Sequence, residues 1–317
     1  MLRVHGVHAA HEMPGVRGAL PQPIAPAPRP RAFLPAVLLA AATAAAAGAA
    51  PITVTTDARS IRPGELVVFT IGVPDGTDHV TVRAFDRDVP ATRLDNGAWR
   101  ALVGIDVGVR PRRYRVEISA EGGDGPAATL SYPLPVASRT FPTRRLRVDP
   151  DFVNPPAGQL DRILREAKEL NGLWERAAEA PWRTGPFVRP VPGPANSAFG
   201  TRSIFNGEER SRHSGGDFRA ATGTPVRAPG GGRVALADDL YFSGRTVVID
   251  HGLGLFSLLA HLSEIDVTAG DVIEAGDTVG RTGATGRVTG PHLHWAVRVN
   301  GARVDPLSVL AVLGPAR

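Results

Sequence analysis

The 317-residue chain contains no cysteine. Disulfides and thiolate metal sites are thereby excluded, and any metal has to be held by imidazole and carboxylate. The absence does not fix a compartment, because exported proteins can lack cysteine too. Lysine is almost missing as well: Lys168 is the single lysine among 36 basic residues. The formal net charge of +5 is largely a property of the first 50 residues, where Arg3, Arg17, Arg29 and Arg31 stand against Glu12. That segment accounts for +3, which leaves +2 for the rest. A nucleic-acid surface needs a clustered basic face. Arg110-Pro111-Arg112-Arg113 and Arg144-Arg145 are short runs that a solvated surface explains, so no nucleic-acid partner is expected. A His-Glu-x-x-His helix is also absent. The glycine-rich run Gly280 to Gly290 ends without the lysine and following helix of a phosphate loop.

Charge is missing from Ala32 to Ala50, an alanine-rich run preceded by Arg29 and Arg31 and ending in Ala47-Gly48-Ala49-Ala50. Basic flank, apolar stretch and small-residue end predict a secretory signal over residues 1–50. The protein is then exported, to the periplasm, envelope or medium, with no stable membrane insertion after cleavage. Without a cysteine near Ala47 there is no lipid-attachment site.

Beyond the leader the fold class reads as all-β with one connecting helix. Residues 51–137 alternate short β-branched runs such as Ile52-Thr53-Val54-Thr55 and His79-Val80-Thr81-Val82 with turns such as Arg62-Pro63-Gly64 and Asp95-Asn96-Gly97. That spacing predicts a β-sandwich. Residues 138–194 read as a linker in which Leu160, Ile163, Leu164, Ala167, Leu170 and Trp174 recur at helical spacing, giving a helix of about twenty residues with its apolar stripe packed on a neighbour. Residues 195–317 are again β-rich and are expected to form an antiparallel β-sheet domain.

The chemistry concentrates there. Five of the nine histidines are His213, His251, His261, His292 and His294. In the strand His292-Leu293-His294-Trp295 the two imidazoles leave one face and the two apolar groups the other. His213-Ser214-Gly215-Gly216-Asp217 adds another imidazole and a carboxylate. Two histidines and one carboxylate form a common catalytic zinc set that leaves a position for water. Spacing alone leaves open which of His292 and His294 is the ligand. His261 ends a strand on which Ser257, Leu259 and His261 share a face, and it joins the candidate site. His251, at a strand exit, reads as a structural hydrogen-bonding residue, and the isolated His79 as a surface or strand residue.

An ordered set of motifs runs through this region. It comprises Phe199-Gly200-x-Arg202, His213-x-Gly215-x-Asp217, Gly223-Thr224-Pro225-Val226, Gly232-Arg233-Val234, Asp250-His251-Gly252, Ala260-His261-Leu262, Gly283-x-Thr285-Gly286 and Gly290-Pro291-His292-Leu293-His294. From Ser197 to Leu310 the chain resembles peptidase family M23, the lysostaphin/LytM-type zinc endopeptidases of bacterial cell walls. The resemblance implies a LytM-like peptidase domain over 195–317 holding one zinc ion on His213, Asp217 and His294. It makes His292 and His261 the catalytic histidines, and peptide bonds of peptidoglycan stem peptides or cross-bridges the substrate. Two other readings remain: a non-hydrolytic LytM-type regulator of cell-wall amidases, and a secreted peptidase acting on proteins. Leu259 stands where many relatives have tyrosine and Arg245 where many have asparagine, both expected at the border of the groove.

Overall fold

Alternation builds the first half of the chain. In Thr53–Ala58, His79–Ala84 and Ala128–Val136 every second side chain is buried, so each strand turns one face to a core and one to solvent. The structure is a computed structural model that describes residues 52–122, 127–147, 155–175, 185–197, 199–209 and 212–315. All of these lie in one compact unit, Pro35–Arg317. The leader predicted over 1–50 falls outside the described residues. Strands β1 (Thr53–Ala58), β2 (Leu66–Gly72), β3 (His79–Ala84), β4 (Arg87–Val89), β5 (Ala91–Arg93), β6 (Trp99–Gly104), β7 (Arg112–Glu121) and β8 (Ala128–Val136) make two four-stranded sheets, ordered β1-β2-β6-β5 and β4-β3-β7-β8. Val54, Phe69, Ile71, Val82, Ile118 and Leu134 fill the core they share. His79 is exposed on β3.

The segment expected to be a linker is more than a tether. Its strand β9 (Thr143–Leu146) pairs in parallel with a strand of the C-terminal region, Arg202–Phe205. Phe187 and Val191, in its proline-rich end, are buried in the C-terminal core. The helix α1 (Leu160–Glu175) has 16 residues, and only its second half packs as the apolar stripe suggested. Leu173 is buried with Leu170 and Trp174 beside it, against Leu236, Leu240, Val248 and Phe256. Leu160 and Leu164 are 54% and 58% exposed.

The remaining strands are β10 (Ala195–Ser197), β11 (Arg202–Phe205), β12 (Glu208–Glu209), β13 (Gly215–Phe218), β14 (Pro225–Arg227), β15 (Gly232–Leu240), β16 (Gly244–Asp250), β17 (Leu255–Ile265), β18 (Val272–Ile273), β19 (Thr278–Thr282), β20 (Leu293–Val299) and β21 (Ala302–Val304), followed by the helix α2 (Pro306–Leu313). Ten of them form one sheet with the path β10-β13-β20-β17-β16-β15-β18, to which β14, β19 and β21 attach. Leu293, Trp295, Val297 and Val299 of β20 enter its core together with Phe218, Val247, Ile249 and Leu259. The opposite face of β20 is left to His294, Ala296 and Arg298. Asp305 caps α2 by accepting from the Leu307 amide at 3.0 Å, and Pro306 follows in the first turn.

Candidate metal centre

The site is assembled by the pairing of β13 with β20. Asp217 stands directly opposite His294, and Gly216 opposite Trp295. This pairing needs Gly215, because a Cβ there would run into the Trp295 carbonyl. The loop before β13 is held by two backbone hydrogen bonds. His213 N–H donates to Thr201 O at 2.9 Å, and Gly200 N–H donates to His213 O at 2.8 Å. These constraints bring His213, Asp217 and His294 together. His213 Nε2 is 3.0 Å from Asp217 Oδ1 and 3.1 Å from His294 Nδ1, and His294 Nδ1 is 2.9 Å from Asp217 Oδ1. They form the candidate metal group among the described residues.

Three donors aimed at one point suit a metal better than they suit one another. Two ring nitrogens in contact can share at most one proton, so a lone pair always meets either a lone pair or an already claimed hydrogen. Ligands 2.0–2.1 Å from a tetrahedral zinc would sit roughly 3.3 Å apart, close to the separations seen. The set is imidazole and carboxylate only, which suits zinc. Burial alone would raise the Asp217 carboxyl. Hydrogen bonds from His213 and His294 are the main opposing effects; they outweigh it and hold the group well below the usual carboxylate range. Burial pushes His294 down, against the pull of Asp217. Both directions describe an ionised carboxylate beside a neutral imidazole, the protonation states that ligation requires.

Two further imidazoles flank the group, each with its tautomer set by a carbonyl, which can only accept. His292 Nδ1–H donates to Gly290 O at 2.8 Å, and its Nε2 lies 3.7 Å from Asp217 Oδ1. His261 Nδ1–H donates to Thr285 O at 3.0 Å. Its ring is 5.0 Å from that of His292 and 5.9 Å from that of His294. In the neutral tautomer each ring then presents the lone pair of Nε2 to the site. Burial, then the neighbouring His294 and His292, push His261 down to about 3.

His261 does not reach the site by simple alternation, as the sequence suggested. Leu259 pairs with Trp295 and is fully buried in the core, while Ala260 pairs with His294 on the site's face. A regular strand would turn His261 back toward the core. Instead β17 carries one extra residue against β16 between the pairs Val247–Leu259 and Arg245–Leu262, and His261 has φ 67°. This β-bulge, with a histidine in the left-handed region, re-aims the ring toward His292 and His294. Leu259, expected at the groove, is thus a core residue; Arg245 is exposed, its guanidinium donating to Ser263 O.

His251 lies outside the group. It is buried, with Nδ1–H donating to Gly231 O at 2.7 Å and Nε2 accepting from Ser257 Oγ at 2.9 Å; Trp295 Nε1–H donates to the same hydroxyl at 3.1 Å. Burial pushes its pKa down to about 4. Sequence reasoning missed the carbonyls of Thr285 and Gly290 that orient the flanking imidazoles. Their signal was present in Gly283-x-Thr285-Gly286 and Gly290-Pro291-His292, as glycine-bounded turns beside the histidines.

An antiparallel sheet bearing a His-Asp-His group with two imidazoles beside it defines a class, the sheet-borne metallohydrolase scaffold. The comparisons name the family. The profile of peptidase family M23 matches residues 211–306. A crystal structure of a Pseudomonas aeruginosa protein described as a peptidase M23 is 32% identical, covers 79% of this chain and 95% of its own, and superimposes with a TM-score of 0.62. The chain belongs to peptidase family M23. It is 43% identical over 97 residues to the DD-carboxypeptidase/endopeptidase Mpg of Neisseria meningitidis, which is 31% of this chain and 22% of that protein. It is 41% identical over 95 residues to the peptidoglycan DD-endopeptidase ShyA of Vibrio cholerae, covering 30% and 22%. The matched region is thus about a fifth of the length of these curated relatives.

Proposed function

We propose that the protein is a zinc metalloendopeptidase, exported through its leader, that hydrolyses peptide bonds in peptidoglycan. The observation that carries this reading is the convergence of His213, Asp217 and His294 to within 3.1 Å beside two oriented imidazoles. The activities named for Mpg and ShyA support the substrate class. His213 Nε2, Asp217 Oδ1 and His294 Nδ1 would hold one zinc ion. Bound there, zinc supplies Lewis acidity toward a scissile carbonyl and a water acidified to a pKa near 7.

The chain's own residues supply the proton handling. Among the described residues no glutamate belongs to the group, and histidine is the base this reading assigns. His292 Nε2 lies 3.7 Å from Asp217 Oδ1, beside the ligands. It takes the proton from the attacking water and can return it to the leaving amine. His261, kept neutral by burial, also offers an acceptor at Nε2. That favours orienting the water over donating to an oxyanion, which would need an N–H at that atom. The β-sandwich, residues 51–137, is proposed as a separate structural module joined to the peptidase domain of 195–317.

The test is digestion of purified peptidoglycan by the zinc-loaded mature protein, with released muropeptides identified by mass spectrometry. Cleaved cross-bridges or stem peptides are expected, lost with a chelator and restored by zinc. Intact peptidoglycan under conditions where the protein binds one zinc would overturn the reading.

A further inference from the structure

The face of β20 that carries His294 also carries Arg298. Two residues per repeat and four residues of separation place their Cα atoms roughly 13 Å apart along the strand. Arg298 pairs across the sheet with Phe256, and its guanidinium carbon sits 5.6 Å from the centre of the Trp174 ring. Trp174 in turn meets Phe256 edge-on at 5.5 Å. Around them lies a cavity of about 460 Å3 whose lining includes Arg87, Asp88, Trp174, Glu175, Arg298 and Gly301.

The Arg298 guanidinium has no hydrogen bond or ion pair among the described residues, and burial pushes its pKa down to about 10. The charges that act on it are Arg303, Asp106 and Arg87. Asp106 is already committed, accepting from Arg303 Nε at 2.9 Å, Nη2 at 2.7 Å and the Arg303 amide at 2.9 Å. Asp88 is paired with Arg83 at 2.8 Å. Arg87 reaches into the same space over Gly301, donating to Asn300 O at 2.7 Å. Gly301, at φ 76°, leaves the room that a Cβ would deny to the Arg87 guanidinium. With Asp106 and Asp88 committed to Arg303 and Arg83, Glu175 is the lining carboxylate left to face the guanidinium groups of Arg298 and Arg87. A guanidinium half-withdrawn from water without a counter-charge is costly, and its planar fork matches a carboxylate or phosphate.

We infer that the Arg298–Arg87–Trp174 pocket is an anion-binding subsite that takes a carboxylate on the peptide lying along this sheet face. At the rise of an extended chain, a carboxylate there is about four residues from the bond at the metal group. Assigning it to a wall peptide rests on the peptidase reading; the anion site itself does not.

The experiment has two arms on the full exported chain, wild type and Arg298→Gln and Arg87→Gln. In the first, thermal unfolding is followed in sodium phosphate or sodium succinate against sodium chloride at equal ionic strength. Each oxyanion is expected to raise the wild-type midpoint by roughly 2–5 °C and to leave Arg298→Gln unmoved. In chloride Arg298→Gln should unfold no earlier than wild type, because it removes an unpaired charge. In the second arm, cross-linked muropeptides are cleaved with their free carboxylates intact or amidated. Arg298→Gln is expected to raise KM on the order of 10-fold for the free form, leaving kcat and the amidated substrate unchanged. Arg87→Gln should act in the same direction. Equal anion stabilisation in all three proteins overturns the site, as does early unfolding of Arg298→Gln in chloride. Equal KM effects on both substrates overturn the carboxylate assignment. If no form cleaves any muropeptide, the hydrolytic reading fails while the thermal arm still decides the anion site.

Discussion

His292 and His294 are two residues apart on one side of the sheet, yet their ring atoms face different partners. His294 presents Nδ1 to Asp217 and His213, whereas His292 spends its Nδ1 proton on Gly290 O. Their replacements should therefore separate. His294→Ala is expected to lose zinc, and His292→Ala to keep it while muropeptide release falls by roughly 10²–10⁴, the usual worth of a general base. Zinc content and release measured on both variants check this, and a metal-free His292→Ala beside a metal-loaded His294→Ala would reverse the roles. The buried His251 gives a second, independent expectation. An unfolded imidazole takes up its proton near pH 6.5, but burial holds the folded one off until about 4, against the pull of its bond to Gly231. The folded pKa is depressed, so the unfolded chain binds more protons in this window and stability falls as the pH is lowered. Up to about 3 kcal/mol present above pH 6.5 is lost as pH drops toward 4. The midpoint of unfolding should thus fall more steeply over that range in wild type than in His251→Asn; equal slopes would remove His251 from the acid response.

At the scale of single elements, period-two alternation made β20 and the sandwich strands readable, because each turns a single face to a core. The His213-to-Asp217 spacing was readable for the same local reason. His261 was not, since its direction depends on a bulge, and a bulge is a fact about the pairing of β16 with β17 rather than about either strand. Leu259 was misplaced by the same slip: one extra residue moves a side chain to the other face. The connector misled in another way. Its helical period was visible, but which part of the stripe would be covered depends on where β15 to β17 end. Leu173 is 3% exposed within the cluster under α1, while Leu164 is 58% exposed. Leu173→Ala is accordingly expected to cost about 2–5 kcal/mol, and Leu164→Ala to stay within about 0.5 kcal/mol. Denaturant unfolding of the two variants is the measurement; comparable losses would mean the helix is covered along its whole length.

Across the whole molecule, residues of the sandwich and of the C-terminal sheet share one core cluster. Leu66, Val68 and Leu102 from the sandwich belong to the same core cluster as Val299, Ala302, Val304 and Val309. Backbone and side-chain bonds cross the same junction: Leu66 N–H to Ser308 Oγ at 2.9 Å, Asp305 N–H to Gly64 O at 2.8 Å, and Asn300 Nδ2–H to Leu102 O at 2.9 Å. At its centre Arg59 and Arg139 each bridge Glu65 and Asp305, with contacts of 2.6–3.1 Å. Burial alone would lower the pKa of Arg59, but the two carboxylates more than offset it and keep the guanidinium charged. Glu65 and Asp305 are 2% and 5% exposed, so removing one leaves two arginines facing a single buried carboxylate. Breaking such a pair from one side typically costs about 3–5 kcal/mol, because an uncompensated charge stays behind. Calorimetry of the wild-type protein should therefore give a single transition. Glu65→Gln should lower its midpoint by a loss of that order while leaving zinc content unchanged, since Glu65 takes no part in the metal group. Two resolved transitions in wild type, or a Glu65→Gln midpoint equal to wild type, would mean that the junction contributes nothing to cohesion and that the two halves fold independently.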